Sequence, residues 1–461
     1  MPRNLRSLAL FGKHAQTRAQ IIPVQAQYAQ EKYKALLPLV GVGVPNDTTA
    51  PQTLEGDPET LLRRLGKPLP YVLRDSPRLS VTRLMTSGWC ELRYLYDAVS
   101  GVKRPPSPAL LRGTQAHARL EDGVHPRDAQ LAAEFRSRGL GPFVGSVAYT
   151  WAATLGRLLQ LAAGGECREV LCHGWVEEGP GLVSGVVARL SWGRSGAASP
   201  HPGSIEALLP QLQQLVRERT THGNSIVVSD TKTRSTYTTP TQGSVLRATT
   251  MQLAYYRHYL EQLAQDPGRT YTSLLENGRL HGVDVDEPLA PEEIAALVQL
   301  LPSLGQDAGV LAHHGTVHIP EVGCPVLSRA SPRWLAARLA QAYGLLRGAL
   351  GTELRVEYYC RGTNFHTETV QWSAELLARQ RAEHERDTAA FLWGERPVRP
   401  VARRLRALRT YCAHCDYNAV CGWKRGVEQE LAHFGPELVA LSEELGEELG
   451  EELVPGSQGQ G

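Results

Sequence analysis

The sequence has no long apolar run, and this absence limits the classes of protein that it can be. No hydrophobic stretch reaches the roughly 18 residues that a membrane-spanning helix requires, so we expect no membrane contact. A strong charge of either sign is also missing, because the 461 residues carry a formal net charge of only +2. Such a chain cannot hold duplex nucleic acid by overall charge, so any nucleic-acid site must be a local groove.

Acidic residues are absent from the start of the chain, where the first is Glu31. The same segment carries four basic residues, Arg3, Arg6, Lys13 and Arg18. An acid-free, arginine-bearing start is typical of a mitochondrial transit peptide, whereas a secretory signal needs an apolar core and a small-residue cleavage site. We predict a basic leader and linker over residues 1–75, with a disordered basic tail as the alternative.

The stretch Ser225–Arg234 ends an apolar strand with two charged side chains, Asp230 and Lys232. Residues two apart on a strand project from the same face. A carboxylate can hold a divalent cation, and a lysine can steady an attacking water or the developing charge on a phosphate. Farther on, Gln252 and Tyr256 are one helical turn apart and share a face. Each pair alone is usually an ordinary surface feature, but their order and spacing indicate a metal-dependent nuclease core.

The chain has eight cysteines, and three of them form the compact pattern Cys412-x2-Cys415-x5-Cys421. Three thiols so close together favour metal ligation in a reducing compartment over a secreted disulfide framework. Zinc and a 4Fe-4S cluster both take four ligands. We expect a remote fourth ligand, and Cys90 is the candidate because it follows an aromatic residue and precedes a helical pattern. An iron–sulfur cluster, zinc and unligated thiols are all open from the spacing alone.

These residues resemble the exonuclease V family, which are single-strand-specific DNA exonucleases in the RecB-like branch of the PD-(D/E)XK nucleases. The resemblance covers roughly residues 78–426, and the basic leader is similar to that of the fungal mitochondrial members. The motifs that carry it are Ser80-Val-Thr, Trp89-Cys90-Glu91-Leu92, Gly113 to His117, Gly185-Val-Val, Asp230-Thr-Lys232-Thr-Arg234, Gln252-x3-Tyr256 and Cys412-x2-Cys415-x5-Cys421-x-Trp423-Lys-Arg-Gly426.

The resemblance implies an α/β fold, with a PD-(D/E)XK restriction-endonuclease-like mixed sheet flanked by helices. It also implies a C-terminal iron–sulfur module that is closed by an N-terminal cysteine. Its 4Fe-4S cluster would be held by Cys90, Cys412, Cys415 and Cys421. The expected domains after the leader are a nuclease core at 76–395 with a helical insertion at about 270–350, a cysteine module at 396–427 and an acidic tail at 428–461.

The resemblance further implies residue roles and a substrate. His117 would be the metal-side histidine, Asp230 a metal carboxylate and Lys232 the catalytic lysine in Mg2+-dependent hydrolysis. Gln252 and Tyr256 would lie on the helix that grips the DNA backbone. The substrate would be single-stranded DNA, degraded from the 5′ end in mitochondrial genome maintenance. We expect a monomer, with a single-strand DNA-binding protein as a further partner.

The chain departs from the family at Ala188, where an aspartate that binds the metal is expected after Gly185-Val186-Val187. Metal catalysis needs anionic oxygen to concentrate and orient Mg2+, so we expect this chain to bind DNA and to cut it poorly. We favour an engineered Asp-to-Ala change; natural loss of activity and a shifted alignment are the alternatives. The competing functions are a noncatalytic single-stranded DNA-binding protein on the same fold and a zinc-stapled interaction module.

Overall fold

The structure is a computed structural model, and the residues that it describes begin after the predicted leader and linker. That leader, and all but the first two residues of the predicted acidic tail, lie outside the described part of the chain. The described residues are 78–86, 90–100, 108–126, 133, 135, 137–175, 182–193, 203–241, 243–307, 316–319, 322, 324–327, 330–392, 396, 398–400, 408, 411–418 and 421–429.

The described chain contains both strands and helices, often in runs of the same type. The strands are β1 (Arg78–Ser80), β2 (Glu166–Trp175), β3 (Leu182–Trp192), β4 (Ile226–Arg234), β5 (Thr316–Ile319), β6 (Cys324–Leu327), β7 (Leu350–Cys360) and β8 (Thr363–Gln371). The helices are α1 (Val81–Thr86), α2 (Glu91–Ser100), α3 (Pro108–Val124), α4 (Gly141–Val144), α5 (Val147–Ala162), α6 (Ile205–Thr221), α7 (Gly243–Gln265), α8 (Pro267–Leu280), α9 (Pro291–Leu300), α10 (Pro332–Gly344), α11 (Ala374–Gln380) and α12 (Arg386–Leu392). No described helix is long and apolar enough to span a bilayer.

The principal sheet has six strands and is mixed, as predicted. Its order is β1-β3-β4-β7-β8, with β2 paired to the other edge of β3. The β1–β3 and β4–β7 pairs are parallel, and the β2–β3, β3–β4 and β7–β8 pairs are antiparallel. The strands β5 and β6 form a separate hairpin inside the predicted helical insertion. The sequence analysis did not anticipate this hairpin.

The central strand β4 is formed by β-branched residues at its start. Ile226, Val227 and Val228 are all buried, which is the environment in which such side chains favour a strand. Helices α5 and α7 pack on β2, and α10 packs on α5 and α8. The core includes the buried rings of Trp151 on α5 and Trp334 on α10. A rigid layer of helices therefore supports the strand that carries the predicted catalytic pair.

The sheet opens between β3 and β4 at the point where that pair begins. The antiparallel ladder joins Trp192 to Ile226 and ends at the Arg189–Ser229 pair. Strand β1 pairs with the start of β3 along this same edge, at residues 182–184. Asp230 is the first residue of β4 beyond the ladder, and Ala188 is the corresponding residue of β3. Asp230 and Ala188 therefore lie where β3 and β4 begin to separate.

The sequence also predicts a helix from Ser80 that carries Cys90 and a second helix from Arg333 to about Leu350, and both end earlier than predicted. The helix that starts near Ser80 stops at Thr86, and a second helix begins at Glu91, so Cys90 lies just before that helix. Ser87 and Gly88, which stand between them in the sequence, are poor helix formers. Helix α10 ends at Gly344 instead of about residue 350, and Gly348 follows with φ 71°, a left-handed conformation that favours glycine.

The chain divides into two compact units. One, the core unit, consists of Ser76–Thr86 and Ser107–Asp387 and holds the six-stranded sheet. The other, the cysteine unit, consists of Met1–Asp75, Ser87–Pro106 and Thr388–Gly461.

Polar contacts within the cysteine unit join its distant segments. The Arg396 guanidinium and the Arg399 backbone N–H both donate to the Glu91 carboxylate, the latter over 2.7 Å. The Tyr417 hydroxyl donates to Asp97 over 2.8 Å. These contacts fix helix α2 against the segment that bears the cysteine motif.

Candidate active site

Asp230 and Lys232 lie side by side at the end of β4, as their spacing predicted. Lys232 Nζ is 2.7 Å from Asp230 Oδ2. The contact does not have the angles of a hydrogen bond, so Oδ2 is a buried carboxylate oxygen without a hydrogen-bond partner among the described residues. Asp230 is only 5% exposed, and desolvated charge of this kind is costly unless something compensates it. The lysine provides part of that compensation, and a cation could provide the rest.

Lys232 is linked to both predicted residues of α7. Its ammonium donates to Gln252 Oε1 over 3.0 Å, and Gln252 Nε2 donates to the Tyr256 hydroxyl over 2.9 Å. Burial is the main cause of a raised pKa at Tyr256, which keeps the phenol neutral. The result is a hydrogen-bonded row, Lys232–Gln252–Tyr256, that fixes the direction of the ammonium.

Position 185, three residues before Ala188, requires glycine for a steric reason. A Cβ added at Gly185 would lie 2.6 Å from Tyr256 Cε1 and 3.2 Å from Val81 Cγ2. Contacts under 3.0 Å do not occur at real Cβ atoms, and here the obstacle is a buried aromatic ring. Glycine at this position therefore allows Tyr256 to sit against β3.

His117 lies on α3 with both ring nitrogens engaged. Its Nε2 is 3.0 Å from the Thr231 carbonyl oxygen, and its Nδ1 is 3.5 Å from Glu169 Oε1. Hydrogen bonding to the Glu169 carboxylate raises the pKa of His117, burial opposes this, and the negative charges of Glu169 and Asp230 add to the rise. The structure therefore brings His117 to the Asp230 site through the backbone of β4.

Ala188 is buried in β3 and offers no donor to a cation. If the β3–β4 register continued beyond the Arg189–Ser229 pair, Ala188 would be opposite Asp230. Its neighbour Arg189 forms ion pairs with Glu166 and Glu357. The position of the expected aspartate thus belongs to the site, although its alanine methyl cannot do the chemistry.

Sequence reasoning missed Glu169 of β2, the residue that contacts His117. Its φ is 55°, an uncommon value for a residue other than glycine. No pattern in the sequence marks it, because a lone glutamate within a strand is an ordinary solvated residue. Only the fold reveals its proximity to His117.

The four cysteines that were expected to bind a cluster converge in the cysteine unit. Cys90 packs against Cys412 in a small apolar cluster with Leu408, Val427 and Trp423. All four thiols are free. Burial, with a smaller contribution from the neighbouring thiols Cys90 and Cys421, raises the pKa of Cys412 to about 12 and that of Cys415 to about 11. The pKa of Cys421 is raised for the same two reasons.

The candidate ligand side chains at these two sites do not have the geometry of a metal site. Among the residues that the structure describes, no group of three or more histidine, cysteine, aspartate or glutamate side chains has the arrangement to hold a metal. The chemistry of the donors is nevertheless suitable at both sites. Four converging thiols match the ligands of an iron–sulfur cluster, and the buried Asp230 carboxylate, which accepts no hydrogen bond at Oδ2 from the described residues, matches the preference of Mg2+ for carboxylate oxygen.

Comparison with known proteins agrees with the resemblance drawn from the motifs. The family model described as "Exonuclease V - a 5' deoxyribonuclease" matches residues 71–424. A protein of Eremothecium gossypii named "Exonuclease V, mitochondrial" is 32% identical, over 80% of this chain and 81% of its own length. The protein of the same name from Candida glabrata is 30% identical, over 80% of this chain and 84% of its own length.

A Saccharomyces cerevisiae protein, also named "Exonuclease V, mitochondrial", is 26% identical over 78% of this chain and 77% of its own length. These names confirm the predicted mitochondrial location and the prediction of a nuclease. The family model spans well over half of the chain, from before β1 to the end of the cysteine motif. The chain belongs to the exonuclease V family, and its enzymatic class is that of a nuclease hydrolase.

Proposed function

We propose that this chain is a Mg2+-dependent exonuclease that degrades single-stranded DNA from the 5′ end in mitochondrial DNA maintenance. The observation that carries the proposal is the buried Asp230 carboxylate, paired with Lys232 and beside the Lys232–Gln252–Tyr256 row, at the opening between β3 and β4. Family membership supports the reaction class, and this geometry supports a site on the sheet of the core unit.

The residues of the site have separable tasks. Asp230 would hold Mg2+, which when bound would polarise the phosphate and activate water. His117, the other expected ligand, would have to give up its contact with the Thr231 carbonyl or with Glu169 to join it. The Lys232 ammonium would stabilise negative charge on the phosphate, and Gln252 directs that ammonium. The neutral Tyr256 hydroxyl holds the Gln252 amide in turn. Preorganised donors of this kind lower the barrier because they need no rearrangement during the reaction.

An aromatic cluster beside the site supports a single-stranded substrate. Tyr358 pairs with Lys232 across the β4–β7 ladder, and its ring lies 6.3 Å from Phe365. Phe365 in turn lies 5.6 Å from Tyr237, which is 58% exposed. Unpaired bases stack on aromatic rings with roughly 1–3 kcal/mol per base, and paired bases in a duplex cannot. Tyr358 itself is buried, so Tyr237 and Phe365 are the rings that would stack on free bases, and Tyr358 would support them.

A 4Fe-4S cluster on Cys90, Cys412, Cys415 and Cys421 is part of the proposal. The four thiols lie together, and none of them is in a disulfide. Because burial and mutual repulsion raise the pKa of the Cys412, Cys415 and Cys421 thiols, a cluster that compensates their charge would be needed for thiolate ligation. Zinc on the same residues is the alternative, and visible absorption together with iron content distinguishes the two.

The chain with Ala188 should bind single-stranded DNA and hydrolyse it slowly, because one expected metal carboxylate is absent. The competing function is a noncatalytic single-stranded DNA-binding protein on the same fold, and Ala188 is the observation that favours it. The proposed partners are single-stranded DNA and a single-strand DNA-binding protein, and the proposed state is a monomer.

The test is to compare the chain with its Ala188→Asp variant. The substrates are single-stranded and duplex oligonucleotides labelled at the 5′ or the 3′ end, with Mg2+ or with EDTA. We expect Mg2+-dependent release from the 5′ end of single strands, faster by orders of magnitude in the variant. Unchanged activity would remove position 188 from the site, and inactivity of both proteins with intact DNA binding would establish the noncatalytic function.

A further inference from the structure

The turn between β7 and β8 contains an arginine in a backbone conformation that disfavours it. Two residues, Arg361 and Gly362, make the turn, because Cys360 and Thr363 on either side of them are paired. Their φ values are 52° and 86°. Two-residue turns with positive φ at both positions favour Asn-Gly or Gly-Gly. The conformation therefore suits Gly362 and strains Arg361.

The described fold gives no structural reason for this arginine. Its side chain is exposed, and it forms no hydrogen bond or ion pair with the residues that the structure describes. An asparagine would adopt the same φ at a lower cost. Backbone strain of this kind is concentrated at functional sites. A guanidinium that is exposed at such a position is suited to bind an anion from outside the fold, and a phosphate is the anion that arginine recognises best.

A bulge next to the turn brings an aromatic ring to the same end of the sheet. The β8 partners of Tyr358 and Tyr359 are two residues apart, so Phe365 stands between them as an extra residue. Bulges bend a strand and redirect a side chain, and they are frequent beside active sites. The Phe365 ring meets the Tyr237 ring edge to face at 5.6 Å, and Tyr237 is mostly exposed. Phe365 thus supports an aromatic ring that is open to solvent.

The turn and the exposed ring both lie beyond the catalytic lysine in the direction of the strands. Strands β4 and β7 are parallel, and Lys232 is paired with Tyr358. Arg361 follows Tyr358 by three residues, which is roughly 10 Å along a strand. Tyr237 follows the end of β4 by three residues. A nucleic-acid strand that leaves the site along β4 and β7 would therefore meet the ring of Tyr237 and the guanidinium of Arg361.

We propose that Tyr237 and Arg361 hold the single strand next to the cleaved phosphate, with a base stacked on the tyrosine ring and a backbone phosphate bound by the guanidinium. This rests on the proposed function and deepens it, because it names the residues that select a single strand. A cation combined with a stacking ring is the usual means of binding single strands without regard to sequence. The phosphate contact is open to any DNA, whereas the ring requires an unpaired base. The simpler alternative is that Arg361 serves only the turn.

The first test measures how salt affects binding by the full-length protein. A fluorescein-labelled oligothymidine is titrated in EDTA, which prevents cleavage, and anisotropy is recorded over a range of KCl concentrations. Arg361→Asn retains the turn and removes the charge, so the slope of log K against log[KCl] should become less negative by about 0.7, the value for one phosphate contact on a single strand. Arg361→Lys should restore the slope. The matched control Arg217→Gln, at an exposed position of α6, should leave it unchanged.

The second test separates stacking from charge. Tyr237→Leu retains an apolar contact for Phe365 and removes the aromatic face, so it should weaken oligothymidine binding roughly 5- to 150-fold, the fold-change that corresponds to one stacked base. Its salt slope should stay as it is. Tyr237→Phe is the conservative control and should bind as tightly as the unmodified protein. Binding to the same strand paired with oligodeoxyadenosine should be the same in all three proteins.

Stability distinguishes a functional arginine from a structural one. Because asparagine tolerates this backbone conformation, Arg361→Asn should have a higher Tm than the unmodified protein, and Arg361→Gly serves as a second variant if the asparagine variant fails to fold. A lower Tm in both would show that the arginine stabilises the turn and would overturn the inference. An unchanged salt slope in Arg361→Asn, or equal binding by Tyr237→Leu and Tyr237→Phe, would overturn it too.

The unmodified protein and its Ala188→Asp variant separate this failure from failure of the proposed function. If the first binds oligothymidine and the second cuts it while the Arg361 and Tyr237 variants bind normally, only the inference is wrong. If neither protein binds single-stranded DNA, the proposed function and the inference are both wrong.

Discussion

Replacing Gln252 by alanine should slow DNA hydrolysis without weakening DNA binding. Lys232 Nζ is 3.0 Å from Gln252 Oε1 and 2.7 Å from Asp230 Oδ2. Without the amide, the ammonium is drawn to Asp230, where it opposes the cation and turns away from the phosphate. A hydrogen bond to a charged group is worth about 1.5–3 kcal/mol. Each 1.36 kcal/mol corresponds to a tenfold change in rate, so we expect roughly a ten- to hundredfold fall in kcat.

The assay is oligonucleotide release from 5′-labelled single-stranded DNA by the Ala188→Asp protein, with and without Gln252→Ala. The KM for DNA should change by about twofold or less, because the lost interaction belongs to the reacting phosphate. Gln262→Ala, at an exposed position of the same helix, is the matched control. The reasoning is refuted if the two glutamine variants have the same kcat, or if Gln252→Ala raises KM and leaves kcat unchanged.

Two further predictions concern the cysteine unit and the core. Cys90→Ser should abolish most of the visible absorption and lower the iron content. The control Cys360→Ala, at a buried free cysteine on β7, should preserve both. Equal iron content in the two variants would exclude Cys90 as a ligand. His173 is buried, and burial lowers its pKa to about 4, so the unfolded chain binds the extra proton first as the pH falls below about 6.5. The free energy of unfolding should therefore fall by about 2 kcal/mol between pH 7 and pH 5 from this group, and urea titrations should show a smaller fall in His173→Gln.

The sequence was most informative where one element carries several functional residues at fixed spacing. Asp230 and Lys232 share a strand, and Gln252 and Tyr256 share a helix, so local periodicity alone predicts which side chains project together. The contact between the two pairs follows because α7 packs on β4. The mixed sheet was expected from the resemblance to the exonuclease V family, because strands such as the polar and largely exposed β8 carry no apolar run.

The sequence was least informative where function depends on residues far apart in the chain. The contact of Glu169 with His117 joins β2 to α3, and it requires a backbone conformation that nothing in the local sequence demands. The β5–β6 hairpin lies in a stretch without a strong alternating pattern. Helix ends were misplaced where glycine, not the apolar periodicity, determined them, as at the end of α10.

The opening in the sheet explains why position 188 can lose its carboxylate without harm to the fold. Ala188 lies just beyond the last β3–β4 pair, so it takes no part in that ladder. Its small methyl group is buried. An aspartate there would add a second carboxylate close to the buried Asp230, and like charges without a cation repel one another. The aspartate of such a site is therefore maintained by catalysis against the preference of the fold. Alanine at this position avoids that repulsion, so we expect the Ala188→Asp variant to be less stable than the Ala188 protein when no divalent cation is present.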